Sequence, residues 1–163
     1  WGLPFEPTAT MRVYLDTKFT DWDDPATDLI SIGLVAEDRR EFYAECTDFD
    51  RRKCSNFVVL EVLPQLGAPG VLRLQRADLR AAVPDWLSTI PNPEFAVDYD
   101  GDLKLLARLL EPDVPAGLVI TNIYKQVDKR ALEDYFQDHD LTRHHALHDA
   151  RALRAAAQTG TRK

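Results

Sequence analysis

Met11-Arg-Val-Tyr-Leu-Asp16, Leu29-Ile-Ser-Ile-Gly-Leu-Val-Ala36 and Glu41-Phe-Tyr-Ala-Glu-Cys46 are three runs rich in strand formers. β-Branched and aromatic side chains suit a pleated, half-buried surface, and the first run also alternates. The polar turn Glu37-Asp38-Arg39-Arg40 links the second run to the third. Residues 11–46 therefore predict an antiparallel meander with its tightest turn there. Beyond Asp48 the spacing becomes helical: Ser55 can cap a short helix through Leu63 before Pro64, and Arg76 to Val83 reads as a second helix before Pro84. Phe95-Ala-Val-Asp98 and Gly117-Leu-Val-Ile-Thr121 read as two further strands. Between them Leu103, Leu106 and Leu110 mark one face of a helix from Asp102, which Pro112 and Pro115 stop. Helices over Asp128–His139 and Thr142–Ala157, the latter with Thr142 as N-cap, complete the chain. The expected architecture is α/β, a mixed five-stranded sheet flanked by helices.

The chain has 163 residues, 45% of them apolar, enough for one domain with a buried core. Its 20 Lys and Arg against 27 Asp and Glu, net −7, exclude the basic surplus of non-specific DNA binders, so nucleic acid must be met locally. No run of about 18 apolar residues is present, which argues against a membrane span. The start lacks a signal-peptide pattern, and a cytoplasmic location is expected. Cys46 and Cys54 form no C-x-x-C pair and are expected as reduced thiols. Met11, the sole methionine, directly precedes the first strand. Residues 1–10 are therefore expected to be an expression remnant or extension, 11–157 the domain and 158–163 a C-terminal tail.

Three carboxylates fall where this fold can gather them: Asp16 ending the first strand, Asp102 at a helix start after the fourth, and Asp149 in the last helix. Hard divalent cations take such oxygen ligands. Each Asp alone would serve equally as a cap or a solvated surface group. His144-His145-Ala-Leu-His148-Asp149 places three of the four histidines within five residues. Helical spacing sets His144 beside His148 and His145 beside Asp149. The cluster could supply a general base near a metal-bound water, a zinc pair, or only a solvated first turn.

Asp16-Thr17-Lys18-Phe19-Thr20, Gly101-Asp102-Leu103 and His144-His145-Ala-Leu-His148-Asp149-Ala150 together resemble the three motifs of the DEDDh branch of 3′–5′ exonucleases, on a ribonuclease H-like fold. Within that branch the chain looks most like the small bacterial 3′–5′ exoribonucleases, over about residues 11–157. The resemblance implies phosphodiester hydrolysis with two Mg²⁺ or Mn²⁺ ions. It casts Asp16 as the bridging ligand, Asp149 as ligand of the ion carrying the nucleophilic water, Asp102 as support of the second ion, and His144 as the base. Asp98 and Asp100 compete with Asp102 for the middle motif. RNA 3′ ends would be the partner, with no membrane contact and a possible homodimer.

The departure is Lys18, where the family carries the glutamate of its Asp-x-Glu motif. The change removes a ligand and adds a cation that could pair with Asp16 or Asp149. If the strand continues, residue 18 shares a side with Asp16. Phe19 and Thr20 are expected substrate contacts. Phe19, Trp22 and Tyr124 could stack on bases, and Arg39, Arg40, Arg51, Arg52 and Lys53 could meet phosphates. Three readings follow: a metal-dependent exonuclease acting on RNA, a nucleic-acid-binding relative impaired by Lys18, and a zinc-binding module.

Overall fold

A computed structural model describes residues 9–160. The meander forms as three strands, β1 (Met11–Phe19), β2 (Leu29–Ala36) and β3 (Glu41–Cys46). A 3-10 turn (Arg51–Lys53), a π turn (Val58–Val62) and a second 3-10 turn (Leu63–Gln65) lead to β4 (Leu72–Leu74). Then follow α1 (Arg76–Leu87), β5 (Pro93–Val97), α2 (Asp100–Leu110), β6 (Val119–Asn122), α3 (Lys129–Asp138) and α4 (Ala146–Gly160).

The sheet is mixed and runs β4-β3-β2-β1-β5-β6. β1 and β2, and β2 and β3, pair antiparallel; β5 joins β1, β6 joins β5 and β4 joins β3 in parallel. One face carries the main core, where Val13 and Leu15 of β1 meet Ile32 and Leu34 of β2, Leu79 and Val83 of α1, and Leu106 and Leu110 of α2. The other face carries α4, and Tyr14 of β1 packs there with Leu153 and Ala157. Even-numbered residues of β1 therefore look toward α4 and odd-numbered ones toward α1 and α2.

Gly33 fixes how closely α4 approaches. It stands opposite Asp16 in the β1/β2 register, and a Cβ there would lie 2.4 Å from the Ala146 carbonyl oxygen. Only glycine admits the first turn of α4 to the middle of β2.

Several boundaries differ from expectation. The sheet has six strands rather than five because Leu72–Leu74 pairs with Ala44–Cys46, a stretch too short to show a period. α1 runs through Pro84 to Leu87, since Leu79, Val83 and Leu87 form one buried stripe that outweighs the hydrogen bond proline cannot donate. Ser55 Oγ accepts from Val58 N as a cap would, but the segment winds as a π turn, and Pro64 sits inside the 3-10 turn after it. α4 starts at Ala146 rather than at Thr142, because His144 is left-handed at φ 72° and breaks the helix. It continues to Gly160, into the segment expected as a tail. Residues 1–8, most of the expected extension, lie outside the described residues.

Candidate functional site

Strand alternation sends Asp16 and Lys18 to the side where Asp149 arrives, one helical turn before Leu153 on the stripe that covers Tyr14. The Lys18 ammonium lies 2.8 Å from Asp16 Oδ2 and 2.6 Å from Asp149 Oδ2. These side chains are only 14–18% exposed, so water does little to screen them. Burial, with the Asp149 and Asp102 charges added, holds the Asp16 carboxyl well above the ordinary range, against the pull of Lys18. Burial would lower the Lys18 pKa, but the two aspartates outweigh it and hold the ammonium charged.

Asp102 approaches from the other side of β1. It is buried in the first turn of α2, where its Oδ1 accepts from Thr17 N at 3.1 Å and Thr17 Oγ1 at 2.6 Å. Burial pushes its carboxyl up to about 7, although the Thr17 hydroxyl and Lys18 favour the anion. Asp98 stands one residue past β5, whose Ala96 pairs with Tyr14 of β1, and so extends toward the level of Asp16. Burial raises its pKa too, while the Lys18 charge lowers it and Asp149 raises it. Asp98, named above only as a competitor, is thus a fourth carboxylate of the cleft. The signal was available: an acid ending the strand beside that of Asp16.

The histidines separate. His144 precedes α4; its N–H donates to both Asp149 oxygens at 3.2 Å, and its ring meets Phe57 edge-on at 4.8 Å. Burial lowers its pKa, so the imidazole stays neutral and can accept a proton at neutral pH. His145 and His148 instead stack on each other at 4.0 Å, and His145 packs against Tyr43 at 4.6 Å. Burial pushes His145 down to about 4. His144 and His148 meet different rings, Phe57 and His145, because the left-handed residue interrupts the helical spacing that would pair them.

The expected substrate contacts divide as well. Thr20 is not offered to a ligand: it is buried, its hydroxyl meets that of Thr27 at 3.0 Å, and it accepts from Asp28 N, closing the loop after β1. Phe19 is half-buried against the main core and floors an aromatic cluster in which Trp22 stacks on Tyr99 at 4.1 Å. Arg40 is tied to Asp38, the Thr89 carbonyl and Met11, at the far end of β1 from the carboxylates. Arg39 lies in that same β2/β3 turn. Arg51 covers Phe49, Arg52 pairs with Asp50, and Lys53 holds Asp28 and the Ala26 carbonyl, so this cluster spends its charge within the chain.

The donor set does not fit a pair of divalent ions as it stands. The seat shared by Asp16 and Asp149 holds the Lys18 ammonium. Asp16 Oδ2 is buried and lies 2.8 Å from the Lys18 Nζ, so the ammonium fills the place an ion would take on it. Among the described residues no group of three or more His, Cys, Asp or Glu is arranged to share one ion.

With this sheet, the carboxylates from β1, β5, α2 and α4 and the histidine before α4 on the page, the chain proves similar to 3′–5′ exonucleases in part of its sequence and in its fold. Two curated relatives, the 3′–5′ exoribonuclease of each of two Mycobacterium tuberculosis strains, are 48% identical over 59 residues, 36% of this chain and 34% of each relative. The matched stretch thus spans about a third of the length of those relatives. Exonuclease I of Methylocaldum szegediense superposes with TM-score 0.60 at 14% identity, over 90% of this chain and 39% of that one. Exonuclease I of E. coli, solved in complex with an oligonucleotide, gives 0.60 at 12% identity, over 95% of this chain and 41% of that one. These likenesses define the fold as the ribonuclease H-like fold of exonucleases. No family model matches the chain.

Proposed function

We propose that this chain receives the 3′ end of an RNA strand in the cleft of Asp16, Asp98, Asp102 and Asp149, as a 3′–5′ exoribonuclease whose hydrolysis Lys18 holds back. The observation that carries the reading is the position of the Lys18 ammonium, bridging the carboxylates of β1 and α4 at 2.8 and 2.6 Å. A cation is already required there, and the chain supplies its own. The exoribonuclease relatives in M. tuberculosis and the fold shared with exonuclease I support the nuclease assignment.

With a carboxylate at position 18, Asp16, Asp102 and Asp149 would hold Mg²⁺ or Mn²⁺, and such ions supply charge stabilisation to the attacking and leaving oxygens. The chain's own residues define the rest. In this reading His144, hydrogen-bonded through its backbone to Asp149, takes the proton, and Thr17 orients Asp102.

The test is digestion of end-labelled RNA by this chain beside Lys18→Glu, with Mg²⁺ or Mn²⁺. Even groups that only orient metal ligands change activity by about 10–100-fold, so the variant should be faster by at least about tenfold. Equal rates would show that Lys18 does not obstruct the site. RNA binding by both forms with digestion by neither would leave a nucleic-acid-binding relative of the fold.

A further inference from the structure

Two open clefts meet beside the carboxylates. One, about 540 Å³, is lined by Asp98, Tyr99, Asp100, Asn122, Tyr124 and Lys125, with Asp100 accepting from Asn122 Nδ2 at 2.7 Å. The other, about 220 Å³, is lined by Asp98, Tyr124, Val127, Lys129 and Arg143. They share Asp98 and Tyr124, so they form one groove that starts at Asp98, the β5 carboxylate of the cleft, and leads past Tyr124. Its polarity changes along the way: acids stand at the inner end, and Lys125 and Lys129 stand exposed at the outer end. Arg143 adds little free charge because Glu133 neutralises it.

Tyr124 is 54% exposed, yet it is held. Its N–H donates to Asn122 Oδ1 at 2.9 Å, and the 3-10 turn that carries it closes through Gln126 N and the Ile123 carbonyl. Lys129 Nζ lies 5.1 Å from the centre of the ring and donates to the Tyr124 hydroxyl at 3.2 Å. An aromatic ring fixed in place and left open to water, with Lys129 against it and the exposed Lys125 in the same groove, offers one face to stack and two charges to pair. In a chain of net charge −7 this pairing of ring and exposed cations suits a polyanion that also carries flat rings.

We infer that this groove is the path of the single strand behind its 3′ end: Tyr124 stacks on a base a few nucleotides upstream, and Lys125 and Lys129 meet the adjoining phosphates. The inference rests on the reading of the cleft as an RNA 3′-end site and adds how longer strands are preferred over short ones. Stacking of this kind tolerates any base, so the groove confers length dependence without sequence preference.

Fluorescence anisotropy with 5′-labelled single-stranded RNA tests it, using the native chain and EDTA to prevent digestion. Octanucleotide and trinucleotide, each with a free 3′ hydroxyl, are compared. Tyr124→Ala should weaken octamer binding by about tenfold, the scale of one lost base stack, and trinucleotide binding by less than about twofold. Tyr124→Trp should restore it. Replacing Lys125 and Lys129 together by Ala should reduce the slope of log affinity against log salt by about 1.4 for the octamer, since each phosphate contact contributes about 0.7 on single strands. The melting temperature of each variant confirms that the exposed substitutions leave the fold intact. Native octamer affinity in Tyr124→Ala, or equal losses for both lengths, would overturn the groove while leaving the 3′-end site standing. Failure of the native chain to bind either RNA would overturn both readings.

Discussion

Lys18 and Lys53 both hold an aspartate, Lys18 inside the cleft and Lys53, from the turn after β3, at Asp28 on the loop between β1 and β2. Lys18 spans Asp16 and Asp149 with all three side chains nearly closed off from water. Lys53 reaches Asp28 at 3.5 Å with its own side chain open, and Asp28 also has Arg76 at 3.5 Å and the Asp50 N–H at 3.1 Å. The loop pair can lose its lysine and still leave Asp28, itself only 14% exposed, with Arg76 and the Asp50 N–H. The cleft triad cannot, because two carboxylates deprived of their cation would face each other in a low-dielectric space. The same ion-pair chemistry is therefore a replaceable contact at one place and a structural keystone at the other.

The hardest test of that contrast is Lys18→Met, which keeps the chain length and removes the charge. It should cost about 3–5 kcal/mol at neutral pH, the scale for breaking a buried pair, read by urea denaturation. A cost below about 1 kcal/mol would place the triad with ordinary surface pairs.

Next in size is the response to metal. Lys18→Glu should melt below the native chain in EDTA through like-charge repulsion and recover with Mn²⁺, by about 2.7 kcal/mol at a hundred times the dissociation constant. The native chain should show a smaller shift, because its cation seat is filled. Equal shifts in the two proteins would break the comparison.

The carboxylates of the two regions should also answer pH with opposite sign. Burial pushes Asp102 to about 7, so between about 4 and 7 the folded chain binds its proton more tightly than the unfolded chain. Its contribution to stability therefore falls as pH rises through that window. Asp28 runs the other way: burial would raise it, but the Asp50 N–H, Lys53 and Arg76 hold it below the ordinary value. Its contribution is present above about 4 and is lost as pH falls further. Melting differences between the native chain and Asp102→Asn or Asp28→Asn, taken from pH 3 to 8, should slope in opposite directions. Parallel slopes would show that the two environments do not differ as described. The smallest effect belongs to Lys53→Ala, less than about 1 kcal/mol and diminished further by salt.

The sequence made the meander legible because β1 alternates and β2 is a continuous apolar run, and those two strands set the position of Asp16. The same period put Lys18 on the side of Asp16, where the structure has it. Less legible were features that tertiary packing decides. β4 has three residues and no period, and Pro84 is carried by the buried stripe around it. The histidine run misled on pairing because a single left-handed residue, His144, changes which rings meet without altering the spacing in the sequence. Asp98 and Tyr99 were written at a strand end beside the expected Asp102, but their part in the cleft depends on β5 lying next to β1. Thr20 looked like a substrate contact by its place in a motif; its hydroxyl is consumed by the loop that follows.

Gly33 also sets how wide the cleft opens. The residue is a clearance: the gap between Asp16 on one part and Asp149 on the other is gauged by an atom that is missing from a third. Any side chain at 33 would act as a shim, lifting the first turn of α4 with His144 and Asp149 as one piece while the strand bearing Asp16 and Lys18 stayed seated. The bite of the whole cleft is thus set from beneath, at a position that touches no ligand, and its tolerance is less than the width of one methyl group.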